Sequence, residues 1–373
     1  MEEIDSVSSE DYTREEDISY RLIDTLLNVG AKRATCRVNI PSDVSPRYAN
    51  AVDDPEAVLI LMKDKNEDST YCINIMRECS HGNILHAVAV TKQDEYFLVW
   101  TDFYIDSVMN FLESCALGTN NANAREGQRI MLPTANLRNF IRQAFDGFQY
   151  LWLRRKYHGN FTLKNTYYQN LGGQLVAKLT SFKLKDRETL KHCWAEDCQA
   201  VGLALESVSK VAREREAKDQ NFDCYIIDDL ARRLKEFAWG DLPYIKQEIY
   251  AHPFFWDDVD IRSFFVSEIP IAMNNQAFRY KVSGCDELCT LPWGTNGFSG
   301  FVALMDDYRS RKEMPIYDKD SMIGYVQFLS GLYVHENELK GGSVDAAVRE
   351  QNPRAYMILY NLIPRPPRLG NGQ

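Results

Sequence analysis

The stretch Ala251-His252-Pro253-Phe254-Phe255-Trp256 decides how the rest of the 373-residue chain is read. A proline after a histidine ends or bends a helix, because its ring fixes φ and restricts the residue before it. Three aromatic side chains in succession must find a buried surface. By itself the hexapeptide marks a junction with an aromatic plug. The length allows two or three domains around that junction.

Composition narrows the function classes. Hydrophobic residues at 45% and charged residues at 26% describe an ordinary soluble globular chain. A net charge of −10 argues against a general phosphate-gripping surface, which is usually basic. The nine cysteines are scattered; Cys193/Cys198 and Cys285/Cys289 are close pairs without a second His or Cys pair at zinc spacing. No metal site is expected, and the cysteine usage suits a reducing compartment. Met1-Glu2-Glu3 begins no basic leader, and no apolar run approaches the ~20 residues of a membrane helix. The expectation is a cytoplasmic protein with no membrane partner. No repeat of about 33 residues is visible.

Before the junction, residues 1–17 are acidic and serine-rich and read as a solvated tail. Ala57–Met62 predicts a buried strand, Tyr71–Cys79 a helix, and Ile84–Val90 and Tyr96–Trp100 two strands around the polar turn Thr91–Glu95. Residues 119–128 read as an Asn-rich loop, and Leu137–Trp152 carries a helical stripe at 137, 140, 141, 144, 148 and 151. After the junction, 257–270 predicts a helix with Ile261, Phe264, Phe265 and Ile269 on one face. Residues 284–300 read as a loop containing Trp293, and 302–311 as a helix. Met322, Val326, Leu329 and Leu332 form a further stripe, followed by His335, and 355–364 is an aromatic-rich tract. The fold class is α+β.

Several tracts, in this order, resemble one family. Glu78-Cys79-Ser80-His81-Gly82-Asn83-Ile84 is similar to the kinase corner after the αC helix. Tyr157-His158-Gly159-Asn160-Phe161-Thr162-Leu163-Lys164-Asn165 resembles the kinase catalytic loop. Val176–Phe182 resembles the strand entering the D-F-G motif, and Asp197-Cys198-Gln199-Ala200-Val201-Gly202 the αF segment whose Asp anchors that loop. His-Pro-Phe-Phe-Trp at the junction, with Tyr317 and His335 eighteen residues apart beyond it, completes the resemblance over about 57–364. The family joins a protein-kinase fold to a kinase-extension nuclease (KEN) domain, as in inositol-requiring enzyme and ribonuclease L. It implies a kinase-like bilobal fold followed by a small all-α KEN-like domain. The implied boundaries are a tail at 1–17, an N-lobe at 18–117, a C-lobe at 118–256, a KEN-like domain at 257–365 and a tail at 366–373. His252 and Trp256 are structural in this scheme, and Asp197 anchors the loop.

The chemical positions depart from the pattern. Asn160 stands where the kinase base would be, and an amide cannot accept the substrate proton. Ser181 stands at the metal-binding Asp, and Mg²⁺ wants carboxylate oxygen. His158 and Asn165 keep their places in the loop; Lys63 matches the strand-3 lysine, but its helix partner falls near Tyr71. No glycine-rich loop is present. In the nuclease-like segment the family's acid–base residues fall on Tyr317 and His335, yet its Arg-Asn pair falls on Ser330-Gly331 and its Asp on Gly324. Losing one cationic donor typically removes ~3 kcal/mol of transition-state stabilisation. Without the resemblance, Tyr317 is a packed turn residue, His335 a surface histidine at a helix end, and the first domain an unrelated α+β fold.

The expected function is a catalytically degenerate pseudokinase–KEN protein, a regulatory or interaction module. It would pair with itself or with related kinase–KEN proteins, require no cofactor and bind ATP weakly or not at all. Two alternatives stand beside it: a metal-free endoribonuclease controlled by its pseudokinase domain, with RNA as partner, and a nucleotide-sensing pseudokinase.

Overall fold

The computed structural model describes residues 33–37, 56–63, 67–93, 96–114, 118–122, 129–185, 189–215, 222–237, 249–289, 293, 298–338, 343–352 and 354–364. The tails expected at 1–17 and 366–373 lie outside these residues. In chain order the elements begin with β1 (Arg33–Arg37), β2 (Glu56–Lys63), α1 (Glu67–Glu78), β3 (Ala87–Gln93) and β4 (Tyr96–Asp102). Next come β5 (Asp106–Ser107), α2 (Val108–Ser114), β6 (Gly118–Ala122), β7 (Arg129–Pro133), α3 (Ala135–Leu153), β8 (Thr166–Leu171) and β9 (Gln174–Leu179). Then follow α4 (Leu190–Arg215), β10 (Phe222–Asp223), α5 (Tyr225–Lys235) and a 3₁₀ turn at Pro253–Phe255. The remainder is helical: α6 (Asp258–Ser263), a π turn at Phe264–Glu268, α7 (Ile269–Ala272), α8 (Gln276–Ser283), α9 (Ser299–Arg311), α10 (Met322–Val334), α11 (Val344–Gln351) and α12 (Ala355–Leu362). The fold is α+β, and it divides into two compact units, 1–115 with 139–204, and 116–138 with 205–373.

In the first unit an antiparallel sheet has the order β1-β2-β4-β3. Helix α1 lies against β3 and buries Cys72, Ile73, Ile75 and Met76. The stripe read in α3 is the core: within this unit Phe140, Ile141, Ala144, Phe148 and Leu151 are all buried. Strands β8 and β9 form a hairpin closed by Gly172-Gly173, both at positive φ, as a two-residue turn requires. The strand expected from Ile84 begins only at Ala87. Ile84 instead bridges Leu179 of β9, and the Leu85 N–H bonds the Leu179 carbonyl, so this pair is engaged by the other sheet.

In the second unit the polar tract expected as a loop at 119–128 starts as strand β6. Asparagine is a poor strand former, but here Asn120 and Asn121 pair with Met131 and Ile130 of β7, and the partner strand decides. Residues 123–128 lie outside those described. Helix α10 is the hub. Met322, Gly324, Tyr325, Val326, Phe328, Leu329, Leu332 and Tyr333 are buried, so it is apolar on nearly all sides, as a central helix must be. The four apolar residues expected to share a face near the junction, Ile261, Phe264, Phe265 and Ile269, are all buried. They lie on a helix that widens to a π turn at Phe264–Glu268. Pro270 lies just after that turn. It has no N–H to offer the Phe265 carbonyl five residues earlier, and the Ser330 hydroxyl of α10 donates to that carbonyl at 2.8 Å instead.

Candidate functional site

The loop 157–165 is held from below by one carboxylate. Asp197, fully buried on α4, accepts the His158 N–H at 2.9 Å, the Gly159 N–H at 2.8 Å and Trp152 Nε1–H at 3.4 Å. Burial pushes the Asp197 carboxyl up to about 7, against the pull of those donors. His158 is enclosed by Phe148, Phe161 and Phe182. Its Nδ1 accepts the Asn160 N–H at 3.3 Å, so Nε2 carries the proton, and among the described residues Nε2 has no hydrogen-bond partner. Burial pushes the imidazole down to about 3, which keeps the ring neutral.

The positions where chemistry would occur are joined to one another. Asn160 Nδ2 donates to the Ser181 carbonyl at 3.1 Å, and Asn165 Nδ2 donates to the Asn160 carbonyl at 3.3 Å. Ser181 sits at φ +60°, a left-handed conformation that costs a non-glycine residue energy. The Lys183 N–H bonds the His158 carbonyl at 2.9 Å. That close approach explains Gly159. Its φ is +71°, and a Cβ there would come well within 3.0 Å of the Lys183 carbonyl oxygen. None of Asn160, Asn165 and Ser181 carries a carboxylate for a divalent cation. Lys63 ends β2 opposite Tyr96; its side chain lies outside the described residues.

The junction hexapeptide is a clasp. His252 is fully buried; its Nδ1 accepts the Phe254 N–H at 3.0 Å, so Nε2–H donates to Asp229 Oδ2 at 3.0 Å. Asp229 also takes Arg233 Nε and Arg232 Nη2 at 2.7 Å each, and Arg233 reaches Asn361 Oδ1 of α12 at 2.6 Å. The Trp256 ring packs on Phe264, Tyr356 and Tyr360. Its backbone carbonyl accepts from Arg138 at 3.1 Å. Burial alone would raise the Asp229 carboxyl, but the hydrogen bonds from His252, Arg233 and Arg232 win and hold it well below the usual carboxylate range.

A pH dependence follows. A carboxyl depressed in the folded state contributes stability above its unfolded value, about 3.9, and loses it as pH falls further. Below pH 4 the wild type is expected to lose stability relative to Asp229→Asn by up to ~1.4 kcal/mol per pH unit. Urea melts of both proteins at pH 7, 5, 4 and 3 read the difference. A constant gap across that series would remove Asp229 as the source.

Tyr317 and His335 both face α9. Tyr317 is buried, with its ring edge on Phe328 and the Arg309 guanidinium 4.1 Å from its centroid. Burial pushes its phenol up, outweighing Arg309. His335 closes α10, packs tilted against Tyr308 with ring centroids 4.3 Å apart and pairs through Nδ1 with Glu338 at 3.0 Å. The neighbouring glycines have local reasons. A Cβ at Gly331 would come well within 3.0 Å of Tyr317 Oη and to 3.0 Å of Met305 Cε. A Cβ at Gly324 would strike the Asp318 backbone, where the loop before α10 crosses the helix. Ser330 is committed to the Phe265 carbonyl.

No protein-family model and no curated protein matches the chain. Among solved structures it is similar to a divergent kinase that lacks the glycine-rich loop and regulates membrane ultrastructure of the Toxoplasma parasitophorous vacuole. The identity is 14%, over 65% of this chain and 88% of that one, with a TM-score of 0.41. A score at that level carries no argument for fold or function. No helix among the described residues is long and apolar enough to cross a membrane, and no group of three or more His, Cys, Asp or Glu there could hold a metal ion.

The roles of four residues that organise these sites are not legible in the sequence. Tyr71, noted only as the place of an absent glutamate, bonds the backbone of Tyr157. Asp229 receives the junction histidine, Arg309 covers Tyr317, and Ser330 closes the π turn. Pro270 inside an otherwise helical pattern was the one local signal for the last of these.

Proposed function

We propose that the chain is a catalytically degenerate pseudokinase joined to a KEN-like helical domain, and that it acts as a regulatory or interaction module. The observation that carries this reading is the bond from Asn160 Nδ2 to the Ser181 carbonyl. It joins the positions of a kinase base and a kinase metal ligand, and the neutral amide and hydroxyl side chains there supply neither a base for proton abstraction nor a carboxylate for Mg²⁺. The crowding of Gly159 against Lys183 supports it, because an arginine at 159 has no room for even its Cβ. In the helical part, the space beside Tyr317 is filled rather than open, and Ser330 supplies a hydroxyl to backbone rather than a cation to phosphate. Homodimers or pairs with related kinase–KEN proteins are the partners this reading favours, in the cytoplasm and with no cofactor.

One observation favours the second reading, an endoribonuclease controlled by the pseudokinase. Arg309 sets a guanidinium on Tyr317, a cation that Ser330 and Gly331 do not provide. RNA would then be the partner.

Incubation with labelled ATP and Mg²⁺ is expected to give no transfer above a Lys63→Ala control. Saturation at 100 Kd would stabilise the fold by about 2.7 kcal/mol, and a thermal shift far below that is expected. Transfer that Asn160→Ala abolishes would overturn the pseudokinase reading; a full thermal shift without transfer would replace it with a nucleotide sensor.

A further inference from the structure

The segment after β9 is fastened at four of five residues, through its backbone. Asn160 Nδ2 donates to the Ser181 carbonyl at 3.1 Å, and the Lys183 N–H donates to the His158 carbonyl at 2.9 Å. The Leu184 N–H donates to Asp68 Oδ1 at 3.0 Å, and the Lys185 N–H to Tyr157 Oη at 2.8 Å. Phe182 between them is buried against His158.

The other end of this lattice is α1. Tyr71 Oη donates to the Tyr157 carbonyl at 2.9 Å and accepts the Tyr157 N–H at 3.2 Å. A hydroxyl has one proton to give and lone pairs to receive, and here one residue takes both. The two tyrosine rings sit 5.3 Å apart. Asp68, one turn before Tyr71 on α1, holds the Leu184 N–H and lies 3.9 Å from Lys183 Nζ. Helix, loop and segment are therefore mutually bonded, and almost every bond ends on a backbone group.

We propose that Tyr71, Tyr157 and Asp68 form a lock that holds 181–185 against 157–160 without any ligand, a conformational device built into the fold. The segment occupies the Asn160 amide and keeps the loop in one arrangement. The lock stands on contacts alone; its consequence, a site closed to a phosphoryl acceptor, rests on the pseudokinase reading. Amide exchange tests the first without assuming the second.

Hydrogen exchange of the ligand-free full chain, read in peptides covering 157–160 and 181–185, is the experiment. Wild type is expected to exchange slowly in both. Tyr71→Phe removes both bonds to Tyr157, and Tyr157→Phe removes the acceptor for Lys185. Each is expected to raise exchange about five- to tenfold in both peptides, with residues 355–362 of the other unit unchanged. Should Tyr71→Phe fail to fold, Tyr157→Phe, which loses a single acceptor, decides. Exchange within about twofold of wild type, or a rise confined to the peptide holding the mutated residue, would overturn the lock. Such a failure would leave the pseudokinase reading intact, whereas phosphotransfer would sink that reading and leave the lock.

Discussion

Gly331→Asn is expected to destabilise the helical unit by about 3 kcal/mol, although it restores the residue type of the nuclease pattern. The helix propensity of Asn exceeds that of Gly by only a few tenths of a kcal/mol. Against that small gain stands a new Cβ well within 3.0 Å of Tyr317 Oη, in a helix buried on nearly all sides. Either Tyr317 leaves its place against Phe328 or α10 shifts. Adding Ser330→Arg removes the hydroxyl donor to the Phe265 carbonyl and should cost about 1–3 kcal/mol more. Denaturant melts of the single and double variants measure both. A Gly331→Asn protein as stable as wild type would show that Tyr317 does not need the space.

The second large effect is expected at Asp197. Replacing it with Ala leaves the backbone N–H groups of His158 and Gly159 without their acceptor and frees Trp152 Nε1. Buried donors left unpaired cost about 1–3 kcal/mol each, so a total near 4 kcal/mol is expected. Asp197→Asn should fall between, because its carbonyl oxygen keeps one N–H while its amide opposes the other. Equilibrium unfolding with a tryptophan signal from Trp152 or Trp194 follows this unit. If Ala costs under about 0.5 kcal/mol, the loop is not anchored by Asp197.

The parts legible in the sequence are those set by local pattern. The α3 stripe at 137, 140, 141, 144, 148 and 151 and the α10 stripe at 322, 326, 329 and 332 are buried at every position. His252-Pro253 reads as a junction because the histidine and the proline act on their own turn. What stayed hidden depends on distant partners. Gly324 and Gly331 look like defects in a helix until the loop carrying Tyr317 and Asp318 is laid across them. Ser330 looks like a lost arginine until Pro270, sixty residues away, leaves a carbonyl for it. Asn120 and Asn121 look like a loop until β7 pairs with them. Tyr71 looks like a lost glutamate until its hydroxyl is placed on Tyr157. At Gly324, Gly331, Ser330 and Tyr71 the residue that seemed to remove chemistry makes a packing or hydrogen-bond contact.

Cleavage of a stem-loop RNA by the purified full chain, beside His335→Ala, tests the loss of chemistry most directly. A degenerate pseudokinase–KEN module is expected to cut no faster than His335→Ala, with or without ATP. Cleavage by the unmodified protein that His335→Ala abolishes would contradict it and make the chain a ribonuclease.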